Sequence, residues 1–265
     1  MIKKMIGRFN TFIKYKELFY ELVTRDIKLK YRRSVLGYLW SVLNPLLIMG
    51  VKILVFSHIF SRGVPNFPIY LIIGHLLFNF MTSATSRSLN SVIGNAGLLK
   101  KIYVPKYIFT FATVTSELVT FIFSLFALLI VIIGYGIPFS WKFFLIIIPI
   151  VLTYIFSLGL SLFLAQATVF FRDIVHIWSV VTTAWMFLSA IFYPINILPE
   201  KVHYFVTNYN PMYFYITMFR NFIIGVTHDP GMMDLILRGS IAAGISIIIG
   251  LISFARAKNK FILYI

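Results

Sequence analysis

Between Phe143 and Pro194 the chain carries almost nothing but apolar and small residues. The only members of that run that bear or can gain a charge are Arg172, Asp173 and His176. A helix that crosses a hydrocarbon core roughly 30 Å thick needs about 20 residues at 1.5 Å each. The run is more than twice that length and fits two spans hinged at the Arg-Asp pair. An unpaired charge in lipid costs about 3 kcal/mol or more, so the pair belongs in a turn at the membrane surface.

Other apolar runs extend the pattern. Spans are expected at about 36–60, 69–92, 107–135, 143–171, 177–193 and 235–254. Of the 265 residues, 60% are hydrophobic and 18% aromatic, and only 12% are charged. A soluble domain would carry about a quarter charged residues. The fold class is therefore an all-α polytopic membrane protein with six transmembrane helices. Residues 1–33 are basic and interrupted rather than apolar, so no cleavable signal peptide is expected. The chain has no cysteine, which excludes disulfides, thiol catalysis and thiolate metal sites.

The net charge of +16 would suggest nucleic acid in a soluble protein. Topology explains it without nucleic acid. With the N-terminus inside, 17 basic residues fall on inner segments and five on outer ones. The inner set includes Lys100, Lys101, Lys106, Arg172, Arg256, Lys258 and Lys260; the outer set is Arg62, Lys142, Lys201, Arg220 and Arg238. This asymmetry places both termini and the Arg172–Asp173 turn in the cytoplasm. Residues 1–35 then form a cytoplasmic interface segment, 36–255 the transmembrane domain and 256–265 a cytoplasmic tail.

Within the first segment, apolar residues recur at Phe12, Tyr15, Phe19, Leu22, Val23 and Ile27, opposite Lys14, Glu17, Glu21, Arg25 and Lys28. Steps of three and four describe an amphipathic helix, which should lie along the inner leaflet or pack on another chain. The outer segment 194–234 contains a second short apolar run, Met212–Val226, with Arg220 near its middle. Fifteen residues rise only about 22 Å, and Pro194, Pro199 and Pro211 punctuate the stretch. A re-entrant helical hairpin dipping from the outer face is expected rather than a seventh span.

Catalytic and energy-coupling signatures are missing. No P-loop, nucleophile elbow or metalloprotease motif occurs, and the five histidines lack metal spacing. No catalytic or metal site is assigned, and the chain is read as a transport subunit without a nucleotide site. Glu117 is the one carboxylate inside a span, about 15 Å above the inner face; Arg87 lies about 8 Å up and Lys52 about 24 Å up. Arg87 is the nearer in depth, so an Arg87–Glu117 pair joining spans two and three is expected, with snorkelling of Arg87 to the interface as the alternative. Ser157, Ser161 and Ala165, with Gly159 between, mark a close-packing helix face, more simply within one chain than as a dimer seam. Asn44-Pro45 should kink the first span.

Four segments occur in order: RDIKLKYRRSVLGYLWSVLNPLL (25–47), GLLKKIYVPK (97–106), VFFRDI (169–174) and YNPM (209–212). Together they resemble the permease subunits of ABC-2-type exporters of O-antigen, capsular and teichoic-acid-like polysaccharides. The resemblance implies an amphipathic interface helix before six spans, a homodimer around a central pathway, and docking of two copies of a separate ATPase that holds ATP and magnesium. It also implies a glycan carried on a polyprenyl diphosphate lipid, in a bacterial cytoplasmic membrane. Leu98, Leu99, Lys100, Lys101, Arg172 and Asp173 are the candidates for ATPase coupling. Tyr209, Asn210, Pro211 and Arg220 belong to the external gate. Trp178, Trp185, Phe187, Phe192 and Tyr193 are candidates for the substrate pathway, because sugar C–H faces pack on aromatic rings; aromatics at the membrane interfaces are the alternative. A drug or lipid exporter of the same class, a secondary transporter and a membrane enzyme are the competing functions. No internal repeat supports the second, and only sparse outer carboxylates (Glu200, Asp229, Asp234) support the third.

Overall fold

The computed structural model describes residues 14–32, 34–60, 66–100, 104–225 and 231–257. Phe12, Lys101, residues 226–230 and the tail from Lys258 lie outside the described residues. The described chain is helical: α1 (Lys16–Tyr31), α2 (Trp40–Phe60), α3 (Phe67–Ser88), α4 (Ala96–Leu99), α5 (Tyr107–Gly134), α6 (Ile147–Phe170), α7 (Ile174–Phe187), α8 (Glu200–Tyr209), α9 (Pro211–Ile224) and α10 (Met232–Ala257). Short 3-10 turns lead into several of them, at Gly37–Leu39, Ile93–Asn95, Trp141–Ile146 and Ile195–Ile197.

Among the described residues, five helices are long and apolar enough to cross a membrane: α2, α3, α5, α6 and α10. The expected fifth span, at 177–193, differs. Its helix, α7, begins three residues earlier and ends at Phe187, giving 14 residues. That is about 21 Å of rise, short of the hydrocarbon thickness. Residues 188–193 continue without helix, and Ala190 takes a left-handed φ of 48°. An apolar run of the right length thus contains a broken helix, a feature that hydropathy does not register.

Helices α3 and α5 run antiparallel. Phe80 meets Phe121 at 5.3 Å between ring centroids, Arg87 meets Glu117, and Ser91 Oγ lies 3.0 Å from Thr110 Oγ1. Helices α6 and α10 run parallel, since Phe156 pairs with Ser246 and Gly159 with Gly250. Ser246 Oγ donates to the Phe156 carbonyl at 2.8 Å. A Cβ built on Gly159 would lie 2.3 Å from the Ser246 carbonyl carbon, and one on Gly250 would lie 2.3 Å from the Gly159 carbonyl oxygen. Only glycine lets the two backbones approach this closely. The small-residue face of α6 is therefore used within one chain, where lipid-facing helices gain most from van der Waals contact. Helix α2 continues through Pro45.

The amphipathic stripe of α1 packs on its own chain. Leu22 and Val23 are buried against Val104, Ile108, Phe109 and Ala112, with Tyr15, Phe19 and Ile27 alongside. The apolar face expected to meet the leaflet is thus largely covered by α5, and Tyr20 and Leu29 stay exposed.

Candidate functional site

At one end of the helices, the end expected to be cytoplasmic, lie two connections. Arg172 and Asp173 form the three-residue turn with Phe171 between α6 and α7, and all three are exposed. The Asp173 carbonyl accepts from the backbone N–H of His176 and Ile177, starting α7, but the Asp173 side chain caps nothing. Among the described residues no ion pair joins Arg172 to Asp173. The second connection holds α4. Leu98 and Leu99 are half-buried against the α1–α5 cluster, and Lys100 is exposed. Arg25 of α1 donates to Asn95 Oδ1 at 3.0 Å, tying α1 to this connection. Partial desolvation of Lys106 lowers its pKa below the ordinary lysine value.

Above them sits Glu117, 3% exposed, between two cations. Arg87 Nη1 lies 2.5 Å from Oε1 and Lys30 Nζ lies 3.1 Å from Oε2. The structure thus brings Arg87 and Glu117 together and adds a third partner that the sequence reading missed. Lys30 falls three residues after Ile27 on the same stripe as Val23, so a basic residue where the apolar pattern should continue was the available signal. The carboxylate binds α1, α3 and α5 to one another.

Toward the other end, α8 and α9 form the expected pair of short helices. Asn210 separates them and is buried. Its Oδ1 accepts from the backbone N–H of Met212 at 3.0 Å, capping α9, and from Trp185 Nε1 at 2.8 Å. Its Nδ2 donates to the Leu188 carbonyl at 2.9 Å. Pro211 occupies the first turn, where its missing N–H costs nothing. Tyr209 is exposed and packs its ring 5.9 Å from Phe205.

Arg220, placed in the gate by sequence, is 1% exposed and enclosed by backbone carbonyls. Its Nε and Nη2 donate to the Tyr70 carbonyl at 3.1 and 2.9 Å, Nη1 to Ala190 at 3.0 Å and Nη2 to Ile191 at 3.2 Å. Its guanidinium carbon stands 3.3 Å from the centre of the Tyr70 ring. Tyr70 Oη donates to the Ala190 and Tyr193 carbonyls, each at 3.0 Å. Irregular backbone at membrane depth must have its polar groups satisfied by protein. Arg220 and Tyr70 supply the donors that residues 190–193 need, which is why a cation is tolerated here. Gly74 leaves the room: a Cβ there would lie 2.7 Å from Arg220 Nη2.

The five aromatic candidates are mostly engaged in packing. Trp178 is buried and donates to Thr85 Oγ1 at 3.0 Å, and Trp185 meets it edge-on at 6.4 Å. Phe192 is buried and stacks on Phe56 at 5.3 Å. Tyr193 Oη donates to the Phe187 carbonyl, and Phe187 itself is half exposed. A different surface, on α3, stands out for the polar residues it carries. His75, Asn79 and Thr82 follow one another at steps of four and three on α3, and with Thr182 and Thr183 of α7 they line a cavity of about 120 Å³. Asn79 also borders a second cavity of about 320 Å³ with Lys30, Trp40, Asn44, Thr120 and Ser124. The two meet at Asn79, the smaller exposing mainly apolar surface and the larger a mixture of polar and apolar groups. The sequence signal was there, since three polar residues share one face of an apolar helix.

Comparison with known proteins decides the family. The ABC-2 type transporter model matches residues 17–224, most of the chain. The chain belongs to the ABC-2 type transporter family. Helix α10 lies beyond that match. This ABC-2 chain is 30% identical to the O-antigen export system permease protein RfbA of Myxococcus xanthus over 217 residues, 82% of this chain and 84% of the relative. It is 29% identical to the RfbA protein of Klebsiella pneumoniae, covering 92% and 93% of the two chains. It is 26% identical to the capsule polysaccharide export inner-membrane protein CtrC of Neisseria meningitidis serogroup A, covering 70% and 71%.

Proposed function

We propose that this chain is the membrane-spanning permease subunit of a bacterial exporter that moves a lipid-linked cell-surface polysaccharide across the cytoplasmic membrane. The cargo class, O-antigen, capsule or a teichoic-acid-like polymer, follows from the export systems named for its relatives. The observation that carries the reading at the level of structure is the cavity of about 320 Å³ that Asn79 of α3 lines with Lys30, Asn44, Thr120 and Ser124. The exposed Asn79 amide, and the Asn44 and Thr120 side chains that share its larger cavity, would be costly against lipid at membrane depth and suit a wetted passage for a hydroxyl-rich cargo. Two copies facing each other across this surface would enclose the passage, and two copies of a separate ATPase would supply ATP and magnesium.

Six crossings, with both termini on one side, are supported by the parallel pairing of α6 and α10, and charge asymmetry favours the inside for that side. A chain that leaves α6 on one side must return to the other before α10 begins. Helix α7 with residues 188–193 makes that return, and α8–α9 dip back as the gate hairpin. The covered stripe of α1 favours an interface helix held by α5, with Tyr20 and Leu29 toward the leaflet.

Coupling is assigned to the Arg172–Asp173 turn and to α4. A turn that meets a moving partner has to be solvated and able to form directed charged pairs, and these two side chains are exposed and not paired with each other. In the Arg172→Ala, Asp173→Ala protein, export should fall while membrane insertion persists, and the ATPase should hydrolyse ATP without transport. Normal export by that protein would remove the coupling role. A drug or lipid exporter of the same class is the competing reading, and polysaccharide at the cell surface of a deletion strain would favour it.

A further inference from the structure

Of the residues of α8 only Val206 and Thr207 are buried. Tyr204, Phe205 and Tyr209 are each more than half exposed. They share one face with Asn208 at steps of three and four. The Tyr209 ring lies 6.4 Å from that of Tyr204 and 5.9 Å from that of Phe205. An aromatic face of this kind, on a helix with so little buried in its own chain, calls for a covering.

The clasp that holds α8 shows where that face lies. Arg238 of α10 donates from Nη1 to Asn208 Oδ1 at 2.6 Å, and its Nη2 pairs with Asp234 at 2.8 Å. Helix α10 has 26 residues and rises about 39 Å, so it overhangs a hydrocarbon core of roughly 30 Å by about 5 Å at each end. Arg238 lies about 9 Å along the helix from Met232, and so about 4 Å inside the hydrocarbon boundary. Around α10, Arg238 falls in line with Ile241, Ile245, Ile248 and Ile252, again at steps of three and four. Those isoleucines are about half exposed, and a purely aliphatic stripe suits acyl chains. Asn208 thus hangs α8 beside that stripe, at the depth where tyrosine rings and lysine stems partition.

We propose that α8 lies in the headgroup boundary of its leaflet, the outer one in the orientation proposed above, with Tyr204, Phe205 and Tyr209 against lipid. The rings supply apolar bodies and two hydroxyls for the ester and headgroup zone, and Lys201 extends to the headgroups. A short amphipathic helix with aromatics on its apolar side inserts about 5–10 Å into that boundary, which matches the depth set by Arg238. The chain leaves helix at Pro199 and Asn210, on either side of α8, so lipid contact fixes the helix where packing does not. This placement needs only that α10 crosses the bilayer; it is independent of the cargo.

The absence of cysteine gives a direct test. Phe205→Cys, Tyr209→Cys and Glu200→Cys are made singly, labelled with a nitroxide and placed, as the permease–ATPase complex, in phosphatidylcholine nanodiscs. Power saturation reports collision with oxygen, which concentrates in lipid, and with nickel-EDDA, which stays in water. Oxygen contact should exceed nickel contact for Phe205→Cys and Tyr209→Cys, and the order should reverse for Glu200→Cys. Dominant nickel contact at both aromatic positions puts the face in water or in the transport pathway and overturns the proposal. Low contact with both reagents means that protein covers the face, and overturns it equally; dipolar broadening that mixing with unlabelled chains removes would name a second copy. A label-free readout comes from Tyr204→Gln, Phe205→Gln and Tyr209→Gln combined in one protein. Glutamine favours helix at least as well as the aromatics, so lost propensity plays no part. Amide exchange in residues 200–209 should accelerate about tenfold or more in nanodiscs, while α6 and α10 stay protected. Exchange unchanged from wild type would show that lipid does not hold α8.

Discussion

A guanidinium enclosed without a carboxylate is held only as well as the acceptors around it, and for Arg220 those are the carbonyls of Tyr70, Ala190 and Ile191. Arg220→Met would take a donor from three buried carbonyls, of which Ala190 keeps the Tyr70 hydroxyl, at about 1–3 kcal/mol for each group left unsatisfied. The expected fall in thermal midpoint is about 10 °C or more in detergent. Arg220→Lys keeps the charge but loses the planar fork, so it should recover only part of the loss. Gly74→Ala should lower the midpoint too, because its Cβ displaces Nη2; a Gly74→Ala protein as stable as wild type would show that the guanidinium is free to shift. The sequence made Arg220 conspicuous, since a charge in a short apolar run cannot face lipid. What it is for was not legible, because residues 188–193 read LSAIFY, an apolar stretch that gives no sign of unwinding. The donors are matched to a break that only the folded chain displays.

At the scale of elements, α1 is fixed to the membrane domain in two ways, by the apolar contacts of Leu22 and Val23 and by the ion pair of Lys30 with Glu117. Removing Glu117 strands Arg87 and Lys30, which are 40% and 31% exposed and so retain access to water. Glu117→Gln should therefore cost less than breaking a fully buried pair, about 1–3 kcal/mol rather than 3–5. Its signature should be local: amide exchange in residues 16–31 accelerates while α6 and α10 stay protected. Lys30→Met should reproduce that signature, and adding it to Glu117→Gln should change little further, as expected for two ends of one contact. Uniform acceleration across all helices would instead make Glu117 a general stability residue. The apolar stripe from Tyr15 to Ile27 was legible from its spacing, and so was the pairing of Arg87 with Glu117 from depth. Lys30 was not, because its partner lies 87 residues away and sequence spacing carries no information about which helix α1 meets.

For the whole molecule, the proposed orientation rests on charge asymmetry, and the proposed number of crossings on the parallel course of α6 and α10. Single cysteines replacing Lys201, Thr227 and Asn259 test it in intact cells with a membrane-impermeant maleimide. Labelling of Lys201→Cys and Thr227→Cys but not Asn259→Cys is expected for six crossings with an outer hairpin. Labelling of Asn259→Cys, with Thr227→Cys protected until the cells are opened, would mean that α9 crosses. The seam between α6 and α10 also has a history in time. Gly159 emerges from the ribosome roughly 90 residues before Gly250, an interval of about 5–20 s at ordinary synthesis rates. Throughout that interval the glycine groove of α6 has no helix to fill it, and toward its end the segment matching the family model is already complete. A chain stalled or cut after α9 would keep the groove open, ready to take α10 from a neighbouring chain. The exchange of a C-terminal helix between copies is thus the characteristic assembly error that this seam invites.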